Sequence, residues 1–431
     1  MKLLNMAFVW LILFISFPSQ GAQTPTPAFY QEVITVLQKY IQINTSNPPG
    51  AEMKSALFLK QLLDREGIES EIMNLGSDRA NLIAKLPGSK PTNNGIALLH
   101  HMDVVPAESK FWTHPPFAGL LEGGEIHGRG AIDIKGKGVL DLMALVWLKR
   151  NKIQLTRDVY LFAVADEEVA SMGAKTLIAQ KPDLLRRIAV VVDEGKTVHQ
   201  TASGEDGDFY VSVGEKSPLW LTLTFTGPPG HGSVPLAGSA VNQAIEAGSK
   251  IIRFAKLLTK EPAPPALRSL VKDPSTRALL YHTISVTGLR GSDKINTISN
   301  EASIQLDCRL LPGTSKESFI SRLQKVIGNS KMKVAIEEHY DSRFSPTDSE
   351  FLRALTRVAK ARGKKVIPTI LTSSTDSSLF RAAGIEVYGF EPYPATDAIV
   401  DTAHANNERI NAESFKRGLV NLIDLLKEID R

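Results

Sequence analysis

One cysteine, Cys308, stands in the whole 431-residue chain, which excludes an intrachain disulfide framework and any zinc site built on thiolates. A metal held here must rest on imidazole and carboxylate. An excess of one charge is also missing, because 50 Lys and Arg against 46 Asp and Glu leave only +4. No basic run reaches tract length, so a nucleic-acid groove is not expected. Past Phe17 no apolar run approaches the roughly 18 residues of a membrane span. Internal repeats and low-complexity tracts are absent too. The remainder is ordinary for a globular protein, 43% hydrophobic and 22% charged, which excludes wholesale disorder. The length exceeds one compact core and predicts two domains.

The N-terminus reads as a targeting segment. Lys2 precedes the apolar stretch Met6–Phe17, 12 residues long, short for a membrane span and suited to a signal-peptide core. Pro18, Ser19, Gln20, Gly21 and Ala22 then break the helix and offer small residues, so cleavage is expected after Gly21 or Ala22. Residues 1–22 are thus expected to be a signal peptide, with a retained membrane anchor as the alternative. The mature chain is expected to be soluble and exported, periplasmic or secreted. A lone cysteine fits a bacterial periplasm better than a disulfide-dense secretome. Asn44-Thr45-Ser46 is read as a chance sequon.

Helical and strand-like segments alternate after the leader. Phe29, Val33, Leu37 and Tyr40 recur at helical spacing, and Ala51–Glu66 reads as a helix stopped by Gly67. Short apolar runs at Asn81–Leu86, Ile96–Leu99, Val159–Val164, Ile188–Val192 and Val387–Phe390 lack strict alternation, as strands buried on both faces do. Helices at Gly138–Arg150 and Ala174–Gln180 lie between them, which predicts an α/β fold with a mostly parallel central sheet. From about Lys216 to Tyr340 the pattern changes. Strands Trp220–Thr226, Thr283–Thr287, Ala302–Arg309 and Lys333–Glu337 combine with helices Ala240–Leu258 and Lys316–Ile327 in the β-α-β-β-α-β order of a ferredoxin-like unit. The predicted division is 23–215 with 341–431 as one domain, and 216–340 as an insert. Glu261-Pro262-Ala263-Pro264-Pro265 is expected to be an exposed loop within it.

Five acidic or histidine-bearing motifs fall where such sheets carry their chemistry. His101 closes the run Ile96–Leu99 in LLHHMDVVP, and sites of open α/β sheets lie at the carboxyl ends of strands. Asp103, two residues on, shares a face with it in an extended segment and is expected to hold the far ring nitrogen. Alone, this pair equally fits a capped strand end. Asp133 lies in the glycine-rich turn GRGAIDIKG before a helix, where its two oxygens can bridge two cations or simply cap the helix. Asp166-Glu167-Glu168 follows the strand Val159–Val164, where adjacent acids repel and call for cations. Their side chains diverge, so one can bind metal while its neighbour serves as a base. Asp193-Glu194-Gly195 repeats the arrangement, and His404 stands in DTAHANNE. Two histidines and three carboxylates without thiolate form a set for zinc or a similar divalent ion.

Taken in order, these motifs resemble the co-catalytic zinc family of aminoacylases, carboxypeptidases and deacetylases. HMDVVP, GRGAIDIKG, DEE and DEG are joined by Gly230-His231-Gly232-Ser233, LDCRLLPG at Leu306–Gly313, and Tyr388-Gly389-Phe390. SNPPG at Ser46–Gly50, FWTHPPFAG at Phe111–Gly119 and VVDEG lean toward the branch of aminoacylase-1, carboxypeptidase S and N-fatty-acyl-amino-acid synthase/hydrolase. The resemblance covers essentially the whole mature chain. It implies a zinc-peptidase-like catalytic domain interrupted by a lid and dimerisation domain.

It also implies two Zn2+ per subunit, with Co2+ or Mn2+ as substitutes. His101 would hold one, His404 and Glu168 the other, and Asp133 would bridge them. The fifth ligand is Asp193 or Glu194, with Glu194 preferred. Glu167 would be the general base and Asp103 the orienter of His101. Two cations roughly 3.5–4 Å apart would acidify a shared water and polarise an amide carbonyl, and Glu167 would pass the proton to the leaving nitrogen. His231 resembles a lid histidine that reaches a partner subunit's site to stabilise the oxyanion, which predicts a homodimer. Asn296 and Arg309 match lid positions near the substrate carboxylate, although Arg309 also reads as a plain strand-surface arginine.

The activity implied is hydrolysis of amide bonds in small peptides or N-acyl amino acids, with no nucleic acid and no membrane as partner after leader cleavage. Two departures stand out: Ser373-Ser374-Thr375-Asp376-Ser377-Ser378 replaces the commoner GGTDAR, removing an arginine that could grip a free carboxylate, and GHGS replaces GHSS. An inactive relative used for binding would lack Glu167 or a ligand, whereas all are present. A dinuclear phosphohydrolase would carry more Arg or Lys beside the metals.

Overall fold

The computed structural model describes residues 24–90, 93–263, 267–268 and 278–430. The expected leader lies outside them, as do Pro264 and Pro265 of the expected Pro-rich loop. Helix α1 (Pro27–Ile41) is capped by the Thr26 hydroxyl, which accepts from Phe29 N, and starts on Pro27, where no N–H is needed. Its residues Val33, Leu37, Tyr40 and Ile41 are fully buried along one stripe. There follow α2 (Glu52–Arg65), β1 (Glu69–Gly76), β2 (Arg79–Leu86), β3 (Gly95–His101), the hairpin β4 (Leu120–Glu122) and β5 (Glu125–His127), α3 (Lys135–Arg150) and β6 (Val159–Val164). Next come α4 (Met172–Gln180), α5 (Pro182–Leu185), β7 (Ile188–Gln200) and β8 (Asp206–Glu215).

The chain then builds a second sheet from β9 (Ser217–Thr226), a short strand β10 (Gly230–His231), α6 (Ala240–Leu258), β11 (Thr283–Arg290), β12 (Thr297–Ile298), β13 (Glu301–Leu310), α7 (Lys316–Ile327) and β14 (Lys333–His339). It returns through α8 (Glu350–Ala361), β15 (Val366–Leu371), α9 (Ser377–Ala382), β16 (Glu386–Ala395), α10 (Asp397–Val400), β17 (Arg409–Asn411) and α11 (Ala412–Ile429).

The large sheet has the order β1-β2-β6-β3-β7-β16-β8-β15. Its centre, β6-β3-β7-β16, is parallel. Antiparallel pairing enters where β1 joins β2 and β2 joins β6, and where β8 meets β7 and β16. The sheet is therefore mixed, with the parallel character concentrated in its middle. Short connections such as Ser77-Asp78 reverse the chain into a hairpin, whereas parallel neighbours need a crossover helix. Every residue of β3 and β6 is buried. Ile96 and Leu98 pack toward α1, α3, α8 and α11, while Ala97 and Leu99 pack toward α4 and α9. Two covered faces explain the unbroken apolar runs.

The second sheet is antiparallel in the order β11-β13-β9-β14. Ala244, Ala247, Ile251 and Phe254 of α6 and Phe319 and Leu323 of α7 cover one face, with the helix bounds that the hydrophobic spacing predicts. Cys308 is buried there, its thiol pushed up to about 12 by burial, so it stays protonated and unreactive. β10 and β12 form a separate ribbon, with Gly230 opposite Ile298 and His231 opposite Thr297.

Candidate metal centre

Three adjacent parallel strands bring the acidic motifs together. His101 ends β3 opposite Val164, the end of β6, and Leu98 of β3 pairs with Val192 of β7. Lys137 ties the first turn of α3 beneath these ends, its ammonium donating to Leu99 O, Val192 O and Asp141 Oδ2 at 2.7, 3.1 and 2.7 Å.

Asp133 lies at the centre. Its Oδ1 is 3.0 Å from His101 Nε2 and its Oδ2 is 3.0 Å from His404 Nε2. Glu168 Oε2 is 3.1 Å from the same His404 nitrogen, and Glu194 Oε1 is 3.9 Å from His101 Nε2. Two donor sets result, His101-Asp133-Glu194 and Asp133-Glu168-His404, each with its ligand atoms within 4.8 Å of one another. Asp133 is not a helix cap. Helix α3 begins at Lys135, its cap position is Ile134, and no side chain caps it.

The electrostatics suit cations. Burial raises Glu167 and Glu194 well above the usual carboxylate range, and neighbouring carboxylates add to the rise. Burial disfavours charge on His101, yet its bond to Asp133 and the fields of Glu194 and Glu167 hold its imidazole well above the ordinary value. Bonds to Asp133 and Glu168 raise His404 to about 10. Burial opposes ionisation of Asp133, but its bonds to both imidazoles carry it well below the usual range. Protons on the two rings thus stand where positive charge is called for. The buried Glu168 Oε1 has no partner, an orphan that a cation would satisfy. The donors are imidazole and carboxylate, which fit zinc, cobalt or manganese.

The two candidates for a fifth ligand part company. β7 does not end at Val192 as expected but runs on to Gln200, with a bulge where Gly389 opposes Asp193 and Phe390 opposes Lys196. Asp193 faces away from both donor sets, its Oδ2 accepting from Ser377 Oγ at 2.7 Å. Its inclusion among the metal ligands is corrected, because neighbours along a strand project to opposite faces. The bulge in turn requires glycine. A Cβ on Gly195 would lie 2.7 Å from Gly389 Cα, and one on Gly389 would lie 2.4 Å from Glu194 O.

Asp103 meets the His101 ring chiefly through its main chain. Its main-chain carbonyl, 2.9 Å from His101 Nδ1, orients the ring, while its carboxylate stands 3.7 Å away. Strand β3 ends at His101, and the Asp103 carboxylate remains within ion-pair reach of the ring without hydrogen bonding to it. The carboxylate accepts instead from Glu167 N and Glu168 N at 3.1 and 3.2 Å.

The insert residues lie elsewhere. His231 is exposed, with its Nδ1 2.7 Å from Ser233 Oγ. Asn296 is exposed on the same ribbon, its carbonyl accepting from Gly232 N at 2.7 Å. Among the described residues no hydrogen bond or ion pair joins either to the acidic centre. Arg309 pairs with Asp307 at 2.8 Å and lies over the Trp220 ring, a strand-surface arrangement that does not support the substrate-carboxylate position.

Several supporting residues escaped the sequence reading. Glu408 Oε1 accepts from Gly130, Ile132 and Asp133 N–H groups at 3.0, 2.8 and 3.0 Å, and its other oxygen pairs with Arg129 at 2.5 Å. It shapes the Asp133 loop from 275 residues away. Asp376 is buried and pushed up to about 8 by burial and by Asp193, and its charge in turn acts on Glu167. The acid that closes DTAHANNE, four residues past His404, was the available cue for Glu408.

The model of Peptidase family M20/M25/M40 matches residues 97–428. Human aminoacylase-1 is 27% identical over 408 residues, covering 93% of this chain and 95% of that protein. The mouse N-fatty-acyl-amino acid synthase/hydrolase PM20D1 is 25% identical over 382 residues, covering 80% of this chain and 76% of its own. Among solved structures, the M20 family metallo-carboxypeptidase Sso-CP2 from Sulfolobus solfataricus superposes with a TM-score of 0.74 at 19% identity, covering 93% of this chain and 99% of that one.

Proposed function

This chain belongs to peptidase family M20/M25/M40, and from that premise we propose that it is an exported dinuclear zinc hydrolase of small peptides or N-acyl amino acids, with Glu167 as general base. The carrying observation is the Asp133 carboxylate, each of its oxygens 3.0 Å from a different imidazole. His101 and Glu194 would hold one ion, His404 and Glu168 the other, and Asp133 would serve both. When bound, such a pair lowers the pKa of water and polarises an amide carbonyl.

Glu167 belongs to neither donor set, so its carboxylate is free to take a proton. As water oxygen bonds to the carbonyl carbon and the C–N bond breaks, that proton passes to the leaving nitrogen. Human aminoacylase-1, matched over 95% of its length, supports N-acyl amino acids as a substrate class. The exposed ribbon bearing His231 and Asn296 supports delivery of an oxyanion donor to a second copy of the chain, in a homodimer. Residues 1–22 support export, and mass spectrometry of exported protein should find an N-terminus near Ala22 or Gln23 rather than an intact Met1.

The test is a panel of N-acyl amino acids, dipeptides and phosphodiesters given to zinc-loaded protein. Amide hydrolysis is expected, and phosphodiester cleavage alone would overturn the reading. Glu167→Gln should lose about 10²–10⁴-fold in kcat while elemental analysis still finds both metals. Loss of zinc from this variant would reverse the roles of Glu167 and Glu168.

A further inference from the structure

The turn that carries Glu167 and Glu168 is held from outside by residues remote in sequence. Asp166 adopts a left-handed backbone, φ +70°, uncommon for a non-glycine residue though Asp tolerates it better than most. The Asn47 amide donates at 2.8 Å to Asp103 Oδ2 and at 2.9 Å to Asp166 Oδ1. Arg79 Nη1 donates to Asp166 Oδ1 at 2.7 Å and to Glu52 Oε1 at 3.1 Å. Its Nη2 donates to Asn47 Oδ1 at 2.6 Å and to Pro49 O at 2.7 Å. Asn47 is itself fastened to the segment after β3, through Asn47 N to Val104 O at 2.9 Å and Thr45 Oγ1 to Met102 O at 2.7 Å. Gly50, at φ +80°, leaves the guanidinium its room, since a Cβ there would lie 2.7 Å from Arg79 Cζ.

These bonds form one circuit. Asp103 takes the N–H groups of Glu167 and Glu168, Asn47 joins Asp103 to Asp166, and Arg79 closes the loop onto Asn47 and Asp166. Both Asn47 and Asp166 are buried, and the Arg79 side chain is 12% exposed. Charge-assisted bonds between buried groups are strong and directional. Neither Asn47 nor Arg79 belongs to a donor set.

We infer that Asn47 and Arg79 are positioning residues that fix the Asp166–Glu168 turn, and so the direction in which Glu167 presents its carboxylate to the reacting water. This rests on the reading of Glu167 as general base. A misplacement of the base by about 1 Å lowers the rate by roughly 10²-fold without weakening substrate binding.

Asn47→Ala and Arg79→Met are compared with wild type, Glu167→Gln and the Glu167→Gln/Arg79→Met double variant. Both single variants should keep two metals by elemental analysis and lose about 10- to 100-fold in kcat at near-constant KM. Hydrogen exchange at the Glu167 and Glu168 amides should quicken in each. Arg79→Lys should recover part of the kcat, and Arg79→Met should add nothing to Glu167→Gln. Wild-type kcat and exchange in folded Asn47→Ala would overturn the inference, as would additive losses in the double variant. An active Glu167→Gln would instead overturn the base assignment. The two failures are thereby separated.

Discussion

Asp193 and Glu194 are consecutive in β7, yet one carboxylate bonds Ser377 Oγ at 2.7 Å and the other stands 3.9 Å from His101 Nε2. The division yields a stoichiometric prediction. Glu194→Gln should lose one of the two metals, and Asp193→Asn should keep both while losing some stability. The amide of Asp193→Asn can still accept from Ser377 Oγ, so the local hydrogen bond survives while the metal set is untouched. Elemental analysis of both purified variants decides it, and metal loss confined to Asp193→Asn would exchange their roles.

Metal uptake should release protons. In the metal-free chain His404 is raised to about 10 by its bonds to Asp133 and Glu168, and His101 is also held well above its ordinary value. His404 is therefore protonated at pH 7, and a cation can bind only the neutral imidazole. Zinc titration calorimetry in two buffers of different ionisation enthalpy should show at least one proton released per chain. No buffer dependence would contradict the protonated state.

Stability should carry a pH-dependent contribution from Glu215. This buried carboxyl at the end of β8 accepts from Thr375 Oγ1 at 2.8 Å and is pushed from 4.5 to about 7 by burial, against the pull of Arg381. The folded chain therefore holds a proton that the unfolded chain releases between those values. The contribution is complete below about pH 4.5 and is lost as pH rises through 7, on the order of 3 kcal/mol in all. Thermal melts of wild type and Glu215→Gln should converge at low pH and separate toward pH 7.5, with the variant the more stable there. Parallel curves would refute the assignment.

Complementation tests the proposed sharing of sites. His231→Ala and Glu167→Gln chains should each be inactive. Mixed under conditions that exchange subunits, heterodimers with one restored site should regain up to about half the wild-type activity. No recovery despite demonstrated exchange, or a monomer by sedimentation at assay concentration, would refute delivery of His231 in trans.

Local rules made much of this protein legible without coordinates. Unbroken apolar runs marked β3 and β6 because both faces of those strands are covered, and apolar spacing set the bounds of α6 and α7. Histidines and acids at strand ends marked the centre because open sheets expose their carboxyl edges there. Long-range packing decided the rest. Which of two adjacent acids faces His101 depends on a bulge made by the contact of Gly195 with Gly389, 194 residues apart in the numbering of the chain. Whether the Asp103 carboxylate holds a ring or a turn depends on the Glu167 and Glu168 N–H groups and the Asn47 amide that packing brings to it. The Asn47–Arg79 circuit and the Glu408 cradle join segments whose separation in sequence leaves no periodic trace. Periodicity reports the face that a residue shares with its neighbours, whereas a polar contact across the fold is fixed only when the chain has closed around it.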